Sequence, residues 1–353
     1  MAESSQPTQA QINLTYDRDN TKAPYIYSKI TPAKPTIVFD SYWRFAAERQ
    51  KIFFGRINGK QPPWTSDPIL KKHKFTNAYR ASDRVSQYLI KHVIYESEQK
   101  ANELFFRIIL FKFFNRIETW KLLQSELGTL SFSKFSFKRY DEILTKAIDD
   151  GKRLYSAAYI MPTGGPSTSF GRKHRMHLKL LEKMMQDEVP SRLENMPSMS
   201  KAFELLRSYP TIGDFLAYQY VTDLNYSTLT NFSEMEFVKP GPGAIDGIRK
   251  CFTDLGGLSE SEIIKLMAER QEVEFERLEL DFKSLWGRPL QLIDCQNLFC
   301  ETDKYARVKH PEFAGVKGRT KIKQKYQITK EPINYLYPPK WGLNDLVKKG
   351  EHT

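Results

Sequence analysis

The stretch YPTIGDFLAYQYVTDLNYSTLTNFSEMEFVKPGPGAIDGIRK, residues 209–250, decides the fold prediction because it contains two turns that each open a helix. In the first turn, Pro210 fixes its own φ and Gly213 can adopt a positive φ, which predicts a tight turn over 209–213. Apolar residues then recur at helical spacing, namely Phe215, Leu216, Tyr220 and Leu224. Such a turn presents free backbone N–H groups at the positive end of a helix, an arrangement that binds phosphate.

The second turn is the rigid, glycine-bearing KPGPG at 239–243, and residues 244–252 are predicted to form the helix that follows. We predict phosphate contacts at Gly213, Lys239, Gly241 and Gly243. The same stretch carries the acidic residues Asp214, Asp223, Glu234, Glu236 and Asp246. The alternative is an ordinary helical turn with surface acids.

The charge balance favours a nucleic-acid partner. The 353 residues have a formal net charge of +12, a pI near 9.3 and 13% aromatic residues. A soluble basic protein without such a partner is the alternative. Two basic stretches add predicted phosphate contacts: Arg172 and Lys173 follow a glycine- and serine-rich loop, and Arg319 and Lys321 belong to RTKIKQKY at 319–326.

Cysteine usage and hydropathy predict a cytoplasmic protein. The three cysteines, Cys251, Cys295 and Cys300, are too few for a disulfide framework and lack the spacing of a zinc knuckle. The first residues resemble no signal peptide, and no apolar run reaches membrane-spanning length. His174 and His177 lack a metal-binding pattern, so we predict neither a metal nor a cofactor.

The periodicity predicts a mostly α chain. We expect a flexible tail over 1–35, one helical domain over 36–345, with two possible lobes at about 36–205 and 206–345, and a short tail over 346–353. Helices are predicted from about Val38 and over 98–120, 135–147 and 259–279. Ser82 and Ser259 are predicted N-caps.

A polar series interrupts the apolar residues near the C-terminus. Asp294, Asn297, Glu301 and Lys304 have helical spacing and therefore share one face. If that face is buried, it is a site rather than a surface.

The 209–250 stretch resembles the helix-hairpin-helix DNA glycosylase superfamily, in which a glycine-rich turn grips a DNA phosphate and a carboxylate about twenty residues on performs the chemistry. Thr211 replaces the first glycine of that turn. Phe215 falls where bifunctional glycosylases carry a lysine, so the resemblance implies no Schiff-base lyase.

A narrower resemblance extends over about 36–345. It rests on WRF at 43–45, PWT at 63–65, FTNAYR at 75–80, DRVS at 83–86, DLNY at 223–226, GPGA at 241–244 and DCQNLFCE at 294–301. These strings are similar to the α-glutamyl/putrescinyl thymine pyrophosphorylase family, which is also seen as the helical domain beside 5-hydroxymethyluridine DNA kinases. That family includes an anti-phage glycosylase that removes α-glucosyl-hydroxymethylcytosine, and the apparent lack of a fused kinase domain here favours that branch.

The resemblance implies an all-α, helix-hairpin-helix glycosylase-like enzyme that flips a modified base out of double-stranded phage DNA. We expect a monofunctional glycosylase, a monomer that leaves an abasic site as part of antiviral defence. One alternative is a transferase, or pyrophosphorylase, that installs an adduct on activated hydroxymethyluracil in DNA. Another is a DNA-binding module without chemistry.

Glycosidic cleavage needs a carboxylate that stabilises positive charge on the sugar and positions a water. The catalytic candidates are Asp223, Glu236, Asp294 and Glu301, with Asp223 and Glu236 preferred. The predicted base-pocket residues are Arg80, Trp64, Tyr218, Asn297 and Lys304.

Overall fold

A computed structural model describes residues 10–12, 26–28, 31–157, 170–313, 315, 318–328 and 334–349. The described chain is mostly helical, as the sequence predicts. Its α-helices are α1 (Ile37–Ile57), α2 (Pro68–Lys72), α3 (Arg84–Tyr88), α4 (Ala101–Phe114), α5 (Ile117–Leu127), α6 (Phe137–Asp149), α7 (Lys173–Gln186), α8 (Val189–Glu194), α9 (Met199–Arg207), α10 (Asp214–Asn225), α11 (Pro242–Cys251), α12 (Glu260–Arg277), α13 (Leu292–Lys309) and α14 (Asn344–Lys349). None of these helices is long and apolar enough to cross a membrane.

Short strands and single helical turns complete the described secondary structure. Strand β1 (Ala10–Ile12) pairs antiparallel with β2 (Ile26–Ser28), and β3 (Lys34–Pro35) pairs antiparallel with β4 (Phe252–Asp254). The 3₁₀ turns are Arg80–Ser82, Phe132–Lys134 and Pro339–Trp341, and Leu89–Tyr95 is a π-helix.

The predicted tails lie partly outside the described residues. Within the N-terminal one, the Thr31 N–H donates to the Gly256 carbonyl (3.1 Å), just before β3 joins β4. The C-terminal residues up to Lys349 belong to α14.

Helix α4 lies in the core, as its apolar sequence predicts, and all but its first two residues are buried. The prediction of a single helix over 98–120 is wrong in one respect, because the helix is interrupted between α4 and α5. Asn115 adopts a left-handed conformation (φ 47°), and its side-chain oxygen accepts a hydrogen bond from Lys112 Nζ (2.9 Å). An asparagine tolerates this conformation better than most residues and so ends the helix.

The two predicted N-caps have different outcomes. Ser259 caps α12 and exchanges hydrogen bonds with Glu262, as a capping box requires. Ser82 instead ends a 3₁₀ turn, and Asp83 precedes α3. The Ser82 hydroxyl lies 2.9 Å from the Tyr337 hydroxyl, so a tertiary contact replaces the predicted cap.

The turn over 209–213 forms, but a different residue adopts the positive φ. Thr211 has φ 69°, whereas Gly213 has φ −81° and is the N-cap of α10. The prediction that Gly213 supplies the left-handed residue is therefore wrong. The Thr211 side chain is half-buried in this turn.

Helices α11 and α13 pack with unusually close backbones. A Cβ added to Gly247 would lie 2.1 Å from the Phe299 carbonyl oxygen, and one added to Gly241 would lie 2.6 Å from the Phe215 ring. Glycine is therefore needed at Gly247, where the obstacle is backbone, whereas at Gly241 the Phe215 ring would have to move. This packing fixes α13, which carries the predicted polar face, against the 209–250 stretch.

We predict that Gly247→Ala destabilises the fold by at least about 1–3 kcal/mol, because the new methyl group overpacks the α11–α13 contact. The free energy of unfolding from urea denaturation measures this. Gly213→Ala is the matched control, because a Cβ there meets no atom within 4 Å. Equal stability of the two variants would contradict the assigned contact.

Candidate functional site

A buried ion triad joins three elements at the centre of the molecule. Arg80 Nη1 lies 2.7 Å from Asp223 Oδ1, and Lys112 Nζ lies 3.0 Å from Asp223 Oδ2. All three side chains are at most 4% exposed. Burial raises the pKa of the Asp223 carboxyl, but the charges of Arg80 and Lys112 outweigh burial and hold that pKa below its usual value. Asp223 is therefore a paired carboxylate.

Neutral polar groups also bind Arg80. Arg80 Nη1 also donates to the Tyr226 hydroxyl (3.0 Å), and Nε donates to Gln219 Oε1 (3.1 Å). Gln219 and Tyr226 come from α10 and its C-terminal end, one turn on either side of Asp223. Helix α10 and its C-cap therefore present three polar partners, spaced by four and three residues, to one arginine.

The polar face predicted on α13 is buried at Asp294 and Asn297 and half-buried at Glu301 and Lys304, and it holds the segment that carries Arg80. Asp294 Oδ1 accepts the Arg80 N–H (2.8 Å), and Glu301 Oε2 accepts the Thr76 N–H (2.9 Å). Lys304 pairs with Glu301 (2.7 Å). Asn297 lies between the two acids on the same face, and its Nδ2 is buried without a hydrogen-bond partner among the described residues.

The carboxyl of Asp294 has a perturbed pKa. Burial raises its pKa to about 7, although the N–H groups of Gln291 and Arg80 oppose the shift. Burial likewise raises the pKa of Asp83 to about 7. Asp83 and Asp294 therefore both have a pKa near neutral pH.

A second polar cluster, missed by the sequence prediction, surrounds Glu234. Arg288 Nη2 donates to Glu234 Oε1 (2.8 Å), and the Arg288 guanidinium stacks 3.9 Å from the centroid of the Trp341 ring. Lys340 Nζ donates to the Ser227 and Thr230 carbonyls (3.1 and 2.7 Å). We call Glu234, Arg288, Lys340 and Trp341 the Glu234 cluster.

Burial governs the titration of this cluster. It raises the pKa of the Glu234 carboxyl, against the opposing charges of Arg288 and Lys340 and a hydrogen bond from Trp341. It lowers the pKa of Lys340 to about 8, against the opposing charge of Glu234. A nearly buried acid with a raised pKa beside two cations is a candidate for proton transfer.

The Glu234 cluster lies close to the central residues. The charge of Glu234 raises the pKa of Tyr218, Tyr226 and Asp294 in addition to the effect of burial. Tyr218, a predicted base-pocket residue, is therefore near Glu234. The sequence signal that could have identified Glu234 is its distance of 21 residues from Gly213.

The structure does not bring every predicted residue to this region. Glu236 is exposed, and its Oε1 accepts the Met199 N–H at the start of α9 (2.6 Å). Trp64 is half-buried against Gly55, and its indole N–H donates to the Lys60 carbonyl (2.6 Å). These contacts give both side chains local structural roles.

The predicted phosphate contacts on the 209–250 stretch are near acidic or apolar groups. Asp214, at the start of α10, pairs with both Arg207 and Lys239. Gly241 faces the Phe215 ring, and a Cβ on Gly243 would lie 3.1 Å from Cys300 Sγ. The Asp214 carboxylate, next to Gly213 in the sequence, therefore already pairs with two cations, one of them the predicted phosphate contact Lys239.

The predicted basic residues at the start of α7 also have partners within the chain. Arg172 pairs with Asp149 (2.9 Å), and Lys173 Nζ lies 4.3 Å from the centroid of the Tyr155 ring. His174 Nε2 lies 2.7 Å from Asp141 Oδ1. Most of the preceding glycine- and serine-rich loop lies outside the described residues. Within the described chain, no group of three or more His, Cys, Asp or Glu side chains is placed to hold a metal.

A cleft of about 770 Å³ is bounded by α1, α2, the 279–283 segment and the end of α13. Arg44, Lys51, Glu48 and Asp281 give its wall charges of both signs. None of the predicted site residues in the described chain lines this cleft.

We predict that Asp223→Asn destabilises the fold by about 3–5 kcal/mol, because Arg80 and Lys112 would remain buried without their counter-charge. Urea denaturation measures the loss. Asp214→Asn on the same helix is the control, since it breaks only exposed pairs worth about 1 kcal/mol or less. Similar losses in both variants would refute the central role of the triad.

We also predict a pH-dependent stability. A carboxyl with a raised folded-state pKa binds its proton more tightly when folded, so the unfolding free energy falls as pH rises from about 4 towards the Asp294 pKa of about 7. The Asp294→Asn variant should show a smaller decrease in unfolding free energy over this pH range. Asp83, whose pKa is also about 7, should account for part of the decrease that remains. A variant with the wild-type slope would show that Asp294 does not titrate in this range.

Comparison with known proteins gives a family for the chain. Residues 36–315, most of the sequence, match the family described as "5-hmdU DNA kinase, helical domain". The curated relative "5-hmdU DNA kinase" of Bacillus phage SP10 is 26% identical over 351 residues, which cover 93% of this chain and 54% of that protein. The chain thus spans about half the length of the curated relative it matches. No solved structure gives a significant match.

These matches correct the predicted reaction. The expected monofunctional glycosylase, a hydrolase of the N-glycosidic bond, is wrong because the matched family and relative are named for a kinase, a class of transferase. The predicted link to hydroxymethylated pyrimidines and phage DNA is consistent with those names. The chain belongs to the family of helical domains of 5-hmdU DNA kinases.

Proposed function

We propose that this chain is a transferase domain that acts at the 5-hydroxymethyl group of hydroxymethyluracil in DNA. The observation that carries the proposal is the family match over residues 36–315. The net charge of +12 supports a DNA substrate. The transferase, which was an alternative in the sequence analysis, therefore replaces the glycosylase as the proposed function.

The Glu234 cluster is the proposed reaction centre. A general base must hold a pKa close to the working pH and lie within reach of the reacting proton, and burial moves the Glu234 pKa in that direction. The Glu234 side chain is 8% exposed, and Lys340 is exposed as a residue although its Nζ is held against the Ser227 and Thr230 carbonyls, so the carboxylate lies at the edge of the core. Asp223 differs from Glu234 because Arg80 and Lys112 pair with it in the core and hold its pKa below the usual value.

The reaction that best fits this cluster is displacement from an activated hydroxymethyl group. In that step an incoming amine or hydroxyl compound forms a bond to the 5-methylene carbon, and the carbon–oxygen bond to pyrophosphate breaks. The bonding electrons leave with pyrophosphate, and Glu234 accepts the proton of the nucleophile. Arg288 and Lys340 are the cations available to stabilise the departing anion.

The central triad has a positioning role in this proposal. Arg80 binds Tyr226, and the backbone of Arg80 is held by Asp294, so the triad fixes residues next to the Glu234 cluster. Tyr218, Asn297 and Lys304 remain proposed base-pocket residues. Asn297 Nδ2, buried without a described partner, is a donor available to a base edge.

The test uses two duplexes of one sequence, containing either hydroxymethyluracil or its pyrophosphorylated form. The first is incubated with ATP and Mg²⁺, and the second with a panel of amines and amino acids. Mass spectrometry of the nucleosides then identifies phosphorylation or displacement. An unchanged nucleoside pool in both reactions would overturn the transferase and favour a binding module without chemistry.

We predict that Glu234→Gln lowers the transfer rate by about 10²–10⁴-fold while DNA affinity is retained, because glutamine keeps the size of the side chain and an oxygen for Arg288 but cannot act as the proton acceptor. Single-turnover kinetics and DNA-binding titrations provide the two readouts. Glu272→Gln, at an exposed position of α12, is the control with the same chemical change. A Glu234→Gln variant with the wild-type rate would exclude Glu234 as the base.

A further inference from the structure

Two lysine-rich segments that are far apart in the sequence lie side by side. The Lys74 N–H donates to the Gln324 carbonyl (3.0 Å), and the Tyr326 N–H donates to the Lys72 carbonyl (3.1 Å). His73 and Lys325 form an antiparallel bridge between these bonds. We call residues 71–74 and 319–325 together the lysine strip.

The lysine strip is exposed and carries charges of one sign. Its exposed cations are Lys71, Lys72, Lys74, Arg319, Lys321, Lys323 and Lys325. Neither segment contains an acidic residue. None of the seven has a salt bridge within the described chain. Seven clustered like charges repel one another, so an anionic partner would stabilise this surface.

The strip is anchored to the folded core. Ile322, between two exposed lysines, is half-buried and packs against the hydrophobic core. The Lys321 carbonyl accepts a hydrogen bond from Arg307 Nη1 on α13 (3.3 Å). The lysines are therefore presented on a fixed main chain rather than on a free tail.

The strip is also joined to the candidate site. Lys74 is two residues before Thr76, whose N–H is held by Glu301, and the same segment ends at Arg80 in the triad. A macromolecule bound to the strip would thus have a defined position relative to the site. The lysine strip therefore differs from a basic patch that has no connection to the candidate site.

We propose that the lysine strip binds the phosphodiester backbone of duplex DNA and positions the duplex for the Glu234 cluster. At the rise of an extended chain, residues 319–325 span about 20 Å, and lysines two residues apart share one face. One strand of a duplex carries roughly six phosphates over that length. This inference rests on the proposed action on DNA and adds the location of the backbone contact.

The test measures the affinity of the full chain for an unmodified 20-base-pair duplex by fluorescence anisotropy at several salt concentrations. The triple variant Lys321→Ala, Lys323→Ala, Lys325→Ala should bind more weakly at low salt. Its slope of log affinity against log salt should be shallower by about 2.7, because each lost phosphate contact contributes about 0.9. The melting temperature should stay near that of the wild type, since the removed side chains are exposed.

The matched control is the triple variant Lys134→Ala, Lys138→Ala, Arg139→Ala, which removes the same charge from exposed positions around the start of α6. It should retain the wild-type salt slope. Equal losses in the two variants would show that binding follows net charge, and an unchanged slope in the strip variant would exclude the strip. Either result overturns the inference.

The use of unmodified DNA separates this inference from the proposed reaction. If wild-type protein binds through the strip but transfers nothing to hydroxymethyluracil DNA, the binding surface stands and the transferase fails. If transfer occurs and the strip variant binds normally, the transferase stands and the strip fails. Preference for a single strand or for an acidic polypeptide of equal charge would also overturn the duplex assignment.

Discussion

The ion triad of Arg80, Lys112 and Asp223 is the constraint on which the central architecture depends. A carboxylate without solvent must be paired, and here two cations from different elements meet it. Because Asp223 lies on α10, Lys112 on α4 and Arg80 in a 3₁₀ turn, the triad fixes three elements relative to one another. Hydrophobic packing alone specifies such positions less strictly, since apolar contacts have no directional requirement.

Helix α13 extends this constraint towards the surface. Its polar face holds residues 76–80 at both ends, through Glu301 and Asp294. The other side of the helix packs so closely on α11 that glycine is needed at Gly247. One helix therefore connects the 209–250 stretch, the triad and the segment that leads to the lysine strip. Asp294 and Glu301, the acids on its polar face, accept hydrogen bonds from backbone N–H groups and so have a structural role.

The pKa values of Asp223 and Glu234 are shifted in opposite directions for a physical reason. Asp223 pairs with two cations in the core, which lower its pKa and keep its carboxyl charged. Glu234 is nearly buried beside Arg288, and burial prevails over the cation, so its carboxyl binds a proton more readily than an exposed glutamate. A carboxylate that is charged and paired is suited to a structural role. A carboxyl with a raised pKa is suited to proton transfer.

The sequence by itself determined the mostly helical class, the core position of α4, the Ser259 cap and the polar face of α13. Each depends on local spacing or on residues three or four apart, which a helix brings together directly. The family resemblance also indicated hydroxymethylated pyrimidines in DNA, although the reaction inferred from it was wrong. Local signals could not show that Asn115 would break a helix or that Thr211, rather than Gly213, would adopt the positive φ, because packing decides between such conformations.

Only the tertiary structure decided which polar residues meet. Glu234, Arg288 and Lys340 come from three separate segments, and residues 71–74 and 319–325 are joined by main-chain hydrogen bonds that leave no sequence pattern. The same holds for Glu236, which spacing favoured as a catalytic acid and which the fold places at the start of α9. Sequence spacing reports neighbours within one element, whereas burial and ion pairing between elements depend on how the helices pack.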